Sequence, residues 1–126
     1  MFTHRPLRVL LVEDHTGTRT ALRTWLTDLG HEVDAVDTMA AALTFAKGFT
    51  FDLLIADIGL PDGSGRDLLG KLRADHDFHA VAITGTIGED ESELSRQAGF
   101  DQHLEKPVDL DELTEILGTA AEKLAD

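Results

Sequence analysis

The chain has 126 residues, of which 24 are acidic and 11 are basic, so its formal net charge is −13. This length is typical of one domain with a core of ordinary size, and the surplus of negative charge argues against binding to nucleic acid or to an anionic membrane. Cysteine is absent, which excludes disulfides, thiol nucleophiles and zinc–thiolate sites. Because the sequence has neither an apolar run of membrane-spanning length nor a signal-peptide pattern, we expect a cytoplasmic protein with a single domain, residues 1–126.

Short apolar runs alternate five times with segments of helical periodicity. The stronger runs are continuously apolar, which is typical of strands buried on both faces of a parallel sheet. In chain order, the predicted elements are a strand at 9–12, a helix at 21–29, a strand at 33–36, a helix at 38–48, a strand at 51–56, a helix at 68–72, a strand at 80–83, a helix at 89–98, a strand at 102–104 and a helix at 110–124. Because crossovers between parallel strands are right-handed, this alternation predicts a doubly wound α/β domain with helices on both faces of the sheet.

Turn formers and capping residues separate these elements. The stretch 59–65 is so rich in Gly, Pro and Asp that it predicts a loop. The helix at 89–98 has a thin apolar stripe, and we expect it to be marginal. The last helix has the strongest signals, because Asp109 can cap it and Glu112 stands at capping-box spacing. Six residues form its predicted apolar face: Leu110, Leu113, Ile116, Leu117, Ala120 and Leu124.

Charged and polar residues stand where four of the predicted strands end. The first strand leads into Glu13 and Asp14, the third into Asp57, the fourth into Thr84, and the fifth into Lys106. Ligands of doubly wound sheets bind outside the carboxyl ends of the strands, so we expect these side chains to form one site. Three neighbouring carboxylates repel one another, and a divalent cation with oxygen ligands, Mg²⁺ or Mn²⁺, is the usual remedy.

Lys106 and Thr84 indicate a phosphoryl group in addition to a cation. A lysine supplies charge, and a threonine supplies a hydrogen bond, to the equatorial oxygens of a phosphoryl group. Asp57, on the central strand, is then placed to attack phosphorus and become an aspartyl phosphate. Taken singly, each of these residues is more simply explained as a helix cap, a turn residue or a solvated charge. Their joint occurrence at the strand ends is what supports the interpretation.

Other motifs fail on residue identity. An EF-hand loop counted from Asp57 would place Leu68 where a glutamate ligand is required. The sequence contains no P-loop and no dinucleotide-binding glycine motif, and Gly63–Gly65 lacks the context of a nucleophile elbow. Four histidines lack ligand spacing, and we expect them at the surface: His4, His15, His76 and His79.

The chain resembles the receiver domains of two-component response regulators across residues 7–125. The resemblance rests on four motifs: VLLVED at 9–14, DIGLPDGSG at 57–65, AITG at 82–85 and LEKP at 104–107. The stretches 57–61 and 103–109 are most similar to receivers attached to hybrid histidine kinases. The resemblance implies a flavodoxin-like (βα)5 fold, with five parallel strands in the order 2-1-3-4-5.

The same resemblance implies a role for each residue at the strand ends. Asp57 would accept the phosphoryl group from a partner's phosphohistidine. Lys106 would contact the phosphoryl oxygens, and its bond to Pro107 is cis in the family. The ligands of Mg²⁺ or Mn²⁺ would be Glu13, Asp14, Asp57 and the backbone carbonyl of Gly59.

The resemblance also implies a switch that phosphorylation operates. Thr84 would move toward the phosphoryl group and shift the face made by the fourth helix, the fifth strand and the fifth helix. The family usually holds Tyr or Phe three residues before the lysine, where this chain has His103. We expect His103 to be a tolerated variant that packs half-buried. The alternative hypothesis is that it still reorients but couples more weakly to Thr84.

These features predict a phosphoacceptor that works with a histidine kinase or a histidine phosphotransfer protein, without nucleic acid or membrane, as a monomer or weak dimer. Because the chain ends at Asp126, we expect output through a protein contact or through transfer to another histidine, with no turnover of an external substrate. Two alternatives remain open. A Mg²⁺-dependent phosphohydrolase would need a second Asp where Gly59 stands. A phosphorylation-independent binding module would have no need of the polar groups at the strand ends.

Overall fold

Five parallel strands form the central sheet of the fold. The computed structural model describes residues 6–85 and 96–125. The strands of this sheet are β1 (Arg8–Val12), β2 (Glu32–Val36), β3 (Leu53–Asp57), β6 (His79–Thr84) and β7 (Gln102–Glu105). They lie in the order β2-β1-β3-β6-β7, and all neighbouring pairs are parallel. Because β4 and β5 belong to a separate hairpin, described below, β6 and β7 are the fourth and fifth strands of this sheet. The predicted doubly wound sheet, with its five strands in the order 2-1-3-4-5, is therefore confirmed.

Helices cover both faces of this sheet. They are α1 (Thr16–Asp28), α2 (Met39–Ala46), α3 (Gly65–Arg73) and the C-terminal helix (Leu110–Ala125). One apolar cluster joins α2 and α3 to one face, and a second joins α1 and the C-terminal helix to the other. The apolar residues of β1 alternate between the two clusters, which is why its run is continuously apolar. Most of the helix predicted at 89–98 lies outside the described residues, and residues 96–98 are helical.

The stretch after Asp57 contains more structure than the predicted loop. β4 (Gly59–Leu60) and β5 (Gly63–Ser64) form a small antiparallel hairpin. α3 then begins at Gly65, with the Ser64 side chain accepting the N–H of Arg66. The loop prediction over 59–65 is wrong here, because turn-forming residues mark a chain reversal but do not show whether the flanking residues pair.

Two further positions differ from the sequence prediction. His79, expected at the surface, is 6% exposed at the start of β6, and its Nε2 lies 2.6 Å from Gln102 Oε1 on the neighbouring strand β7. β6 begins at His79, one residue before its apolar run. Because β6 lies between β3 and β7 in the sheet, the elements around it cover the His79 ring. Leu110, expected on the apolar face, is 42% exposed at the first turn of the C-terminal helix. Of the other three histidines that were expected at the surface, His15 is exposed, His76 is half-buried, and His4 lies outside the described residues.

His31 is expected to make the stability of the fold depend on pH. Its Nδ1 accepts the backbone N–H of the buried residue Leu7 at 2.9 Å, and partial burial lowers the pKa of the His31 ring. Only the neutral ring can accept this bond. Because the folded pKa lies below the unfolded value, the contribution is complete above about pH 6.5 and is lost as the pH falls toward the folded pKa.

We therefore expect His31→Asn to lose less stability than the wild type when the pH is lowered from about 7.5 to about 5.5. Asparagine places an oxygen where Nδ1 stands, and this acceptor does not titrate. The difference between the two proteins should not exceed the net value of one hydrogen bond, about 1 kcal/mol. Urea unfolding at both pH values measures it. Equal losses in the two proteins would show that His31 does not carry this pH dependence.

Candidate functional site

The carboxyl ends of the strands bring together the acidic residues predicted to form a site. Glu13 directly follows β1, and its N–H donates to Val36 O at the end of β2 at 3.0 Å. Asp57 is the last residue of β3. One carboxylate oxygen from each of Glu13, Asp14 and Asp57 lies within 4.8 Å of the others. Glu13 is fully buried, Asp57 is 6% exposed, and Asp14 is exposed.

The buried position of Glu13 is electrostatically unfavourable for its negative charge. Burial raises the pKa of Glu13 above its ordinary value, and the neighbouring Asp57 carboxylate raises it further. The ammonium of Lys106 and the backbone N–H of His15 act in the opposite direction. The His15 N–H donates to Glu13 Oε2 at 3.0 Å. A cluster in which burial and repulsion both disfavour the charge is suited to hold a cation.

Lys106 completes the cluster from the segment after β7. Its Nζ lies 2.7 Å from Asp57 Oδ2 and 2.7 Å from Glu13 Oε1. Burial lowers the pKa of Lys106, but the contacts with Asp57 and Glu13 outweigh it, so the pKa is raised. One ammonium among three carboxylates leaves an excess of negative charge, and the donor set consists of hard oxygen atoms. These residues fit a divalent cation such as Mg²⁺.

Both oxygens of the Asp57 carboxylate are oriented by hydrogen bonds. Gly59 N donates to Oδ1 at 2.9 Å, and Lys106 Nζ donates to Oδ2 at 2.7 Å. Gly59 belongs to the small hairpin, so the hairpin determines where its N–H group lies. The carboxylate plane is thus held between the hairpin on one side and the segment after β7 on the other.

The remaining predicted residues lie on or next to the two strands β6 and β7. Thr84 is buried as the last residue of β6, and its carbonyl accepts the Lys106 N–H at 2.8 Å. His103, on β7, is half-buried as expected. The Lys106–Pro107 peptide bond is cis, as the resemblance implies.

Arg19 is a residue near the site that the sequence reasoning missed. From α1, its Nη1 donates to the carbonyl of Glu13 at 2.9 Å and to that of Asp14 at 3.3 Å. It therefore holds the backbone of the two acidic residues without touching their carboxylates. The available signal was weak, because an arginine in the first turns of a helix is ordinarily a solvated charge.

Comparison with known proteins agrees with this geometry. The family model described as response regulator receiver domain matches residues 9–118. The chain belongs to this family. As a receiver domain, it is a component of two-component signalling. Within the part of the chain that the structure describes, each helix is too short or too polar to cross a bilayer.

The receiver domain is similar to segments of longer curated proteins. It is 34% identical over 127 residues to the virulence sensor protein BvgS of Bordetella pertussis, covering 94% of this chain and 10% of that protein. It is 33% identical over 115 residues to the transcriptional regulatory protein KdpE of Mycobacterium tuberculosis, covering 91% of this chain and 51% of that protein. This receiver domain thus spans between a tenth and about half the length of these relatives.

Solved structures show the same fold over nearly the whole chain. A CheY-like response regulator receiver domain protein from Methanospirillum hungatei has a TM-score of 0.87 and 28% identity, covering 94% of this chain and 96% of that one. A CheY-like receiver domain from Methylobacillus flagellatus has a TM-score of 0.78 and 31% identity, covering 92% of this chain and 99% of that one.

Proposed function

We propose that Asp57 accepts a phosphoryl group from the phosphohistidine of a histidine kinase or of a histidine phosphotransfer protein, and that the reaction depends on Mg²⁺. The observation that carries the proposal is the contact of Lys106 Nζ with Asp57 Oδ2 and Glu13 Oε1. This contact places a positive charge directly at the carboxylate that would receive the phosphoryl group. A phosphoryl group carries its negative charge on three oxygens, and a neighbouring ammonium stabilises it.

The transfer exchanges one bond to phosphorus for another. A carboxylate oxygen of Asp57 forms a bond to phosphorus while the bond between phosphorus and the partner's imidazole nitrogen breaks. The electron pair of the broken bond stays on that nitrogen, and the imidazole leaves neutral because its other ring nitrogen carries a proton. Lys106 then stays beside the phosphoryl oxygens, and the Thr84 hydroxyl donates a hydrogen bond to one of them.

We propose that Mg²⁺ is held by the Glu13, Asp14 and Asp57 carboxylates and by the backbone carbonyl of Gly59. The clustering of the three carboxylates supports this ligand set, because their oxygens are within 4.8 Å of one another. Mn²⁺ has the same preference for oxygen donors and would bind the same residues. When bound, the ion neutralises the negative charge that accumulates as a phosphoryl group approaches a carboxylate.

The output of the domain is proposed to be a change in a protein-binding face. Thr84 and His103 lie on the neighbouring strands β6 and β7, where Ala82 is paired with His103 and Thr84 with Glu105. A movement of Thr84 toward the phosphoryl group would be transmitted across this strand pair to the face that β7 shares with the C-terminal helix. The fourth predicted helix, which belongs to the same proposed face, lies mainly outside the described residues.

An apolar groove next to Lys106 supports a protein as the phosphoryl donor. It runs between α1 and the segment that follows β7, and its apolar lining consists of Ala21, Leu22, Trp25, Pro107, Val108 and Leu110. The exposed Leu110 side chain lies in this lining. Because the groove reaches Lys106, a partner bound there could present its phosphohistidine to Asp57.

We propose that the domain turns over no external substrate, since Gly59 occupies the place where a phosphohydrolase of this chemistry needs an acid.

Incubation with acetyl phosphate and Mg²⁺ tests the proposal directly. Acetyl phosphate can replace the protein donor because it also carries a transferable phosphoryl group. We expect the wild type to gain the mass of one phosphoryl group and Asp57→Asn to gain none, as measured by intact-protein mass spectrometry. Asp75→Asn, at an exposed position just after α3, is the matched control and should react like the wild type. Absence of phosphorylation in a wild type that binds Mg²⁺ would favour the phosphorylation-independent binding module.

A further inference from the structure

The hairpin that follows Asp57 is fastened to the N-terminus of α2 by one side chain. Asp62 stands in the turn between β4 and β5. Its two carboxylate oxygens accept the backbone N–H groups of Met39 and Ala40, at 2.8 and 2.9 Å. The first N–H groups of a helix have no acceptor within the helix, and the positive end of the helix dipole favours a carboxylate. These bonds, first from Ala40 and then from Met39, hold the pKa of Asp62 below its ordinary value.

The two bonds of Asp62 add to a local cap that α2 already has. Thr38, the residue before the helix, accepts the N–H of Ala41 on its side-chain oxygen at 3.0 Å. Asp62, in contrast, is separated from Met39 and Ala40 by 23 and 22 positions of the sequence. Thr38 can cap the helix but cannot connect it to another element. The connection between α2 and the hairpin is the contribution specific to Asp62.

The hairpin is packed against α2 and leads directly to Asp57. A Cβ atom added at Gly63 would lie 2.6 Å from Met39 Cε, so the Met39 side chain covers the backbone of β5 closely. β4 and β5 pair Gly59 with Ser64 and Leu60 with Gly63. This pairing joins the turn at Asp62 to Gly59, three residues away. Gly59 N in turn donates to Asp57 Oδ1 at 2.9 Å.

We propose that Asp62 is a positioning residue for Asp57: by fastening the hairpin to α2, it keeps the Gly59 N–H on Asp57 Oδ1. The carboxylate then stays oriented between Gly59 and Lys106. The inference rests on the proposed role of Asp57 as phosphoacceptor and adds a residue that controls its orientation. The segment that leads into α2 is itself attached to the site, since Val36 O accepts the N–H of Glu13. A displacement of a reacting group by about 1 Å can cost two orders of magnitude in rate.

Asp62→Ala and Thr38→Ala form a matched pair for the test. Both remove side-chain bonds from the same helix end, but only the first releases the hairpin. Amide hydrogen exchange of Gly59, measured by NMR in the metal-free protein, reports the link without any reaction. Phosphorylation by acetyl phosphate at saturating Mg²⁺ reports its consequence. We expect both variants to unfold at a lower temperature than the wild type.

In Asp62→Ala, we expect the exchange of the Gly59 amide to rise and the phosphorylation rate to fall, each by about tenfold. In Thr38→Ala, both should stay within about twofold of the wild type. Asp62→Asn keeps one acceptor oxygen, so its Gly59 exchange and its phosphorylation rate should both lie between those of the wild type and Asp62→Ala. It replaces Asp62→Ala in the comparison if the alanine variant does not fold. Equal effects of the Asp62 and Thr38 variants would overturn the inference and leave Asp62 as an ordinary helix cap. A wild type that is not phosphorylated on Asp57 would instead contradict the proposed function, while Gly59 exchange would still test the link.

Discussion

Lys106→Met is expected to slow the phosphorylation of Asp57 by about 10²- to 10³-fold, the usual effect of removing one preorganised group that stabilises developing charge. The Lys106 ammonium is 2.7 Å from Asp57 Oδ2, where a phosphoryl group would bring further negative charge. Methionine retains an unbranched apolar side chain and removes the charge. The measurement is the rate of phosphorylation by acetyl phosphate at saturating Mg²⁺, followed by intact-protein mass.

The same substitution should strengthen Mg²⁺ binding while it slows the reaction. In the metal-free protein, the Lys106 ammonium neutralises part of the charge of Glu13 and Asp57, so it competes with a cation for these carboxylates. Repulsion between two unit charges about 4 Å apart is worth about 1 kcal/mol in water, and the double charge of Mg²⁺ makes it about 2 kcal/mol, which corresponds to about thirtyfold in affinity. Calorimetric titration with Mg²⁺ measures this change. Tighter binding combined with slower reaction cannot result from general unfolding of the site.

Lys71→Met is the control for the Lys106 variant. Lys71 lies on the exposed side of α3. The phosphorylation rate and the Mg²⁺ affinity of the Lys71→Met variant should therefore match those of the wild type. If Lys106→Met were phosphorylated as fast as the wild type, Lys106 would have no part in the reaction, and its contacts would serve only to balance the buried charge of Glu13.

The sheet and the acidic cluster could be predicted because both depend on local patterns in the sequence. The continuously apolar runs of β1 and β3 indicate burial on both faces, and this can be recognised without knowing which elements pack against the strands. Parallel strands of one sheet end at the same edge, so residues such as Asp57 and Lys106, 49 positions apart, could be expected to meet. For this prediction the residue types and their positions relative to the strands were sufficient.

The contacts that orient the cluster could not be predicted in the same way. Asp62 and Arg19 form hydrogen bonds to backbone groups, which every residue type except proline offers in full, so the identity of the partner residue does not mark either contact. The burial of His79 depends on the elements around β6 and not on the residues next to it in the chain. The hairpin at Gly59–Ser64 consists of two strands of two residues each. Strands this short leave no periodic pattern in the sequence.

Gly65→Ala is expected to lower the free energy of unfolding by about 3 kcal/mol, at the upper end of the cost of overpacking. A Cβ atom at this position would lie 2.5 Å from Asp57 O and 3.0 Å from Ile58 Cα. Both atoms belong to the backbone, so the clash cannot be relieved by a change of rotamer. α3 would have to move away from the strand end that carries Asp57, and the N–H of Gly65 would lose its bond to Ile58 O, now 2.9 Å long.

Gly70→Ala provides the opposite result within the same helix. Gly70 is exposed in α3, and among the described residues no atom beyond its chain neighbours and the adjoining helix backbone lies within 4 Å of a Cβ added there. Alanine should therefore stabilise the protein by about 0.5–1 kcal/mol through its higher helix propensity. Urea unfolding measures both variants, and acetyl phosphate measures whether the folded fraction of Gly65→Ala still reacts. Opposite signs at the two glycines would attribute the cost at Gly65 to its contact with the Asp57 backbone. A stabilised Gly65→Ala would mean that α3 can withdraw freely, and the orientation of Asp57 would then have to depend on the hairpin and Lys106 alone.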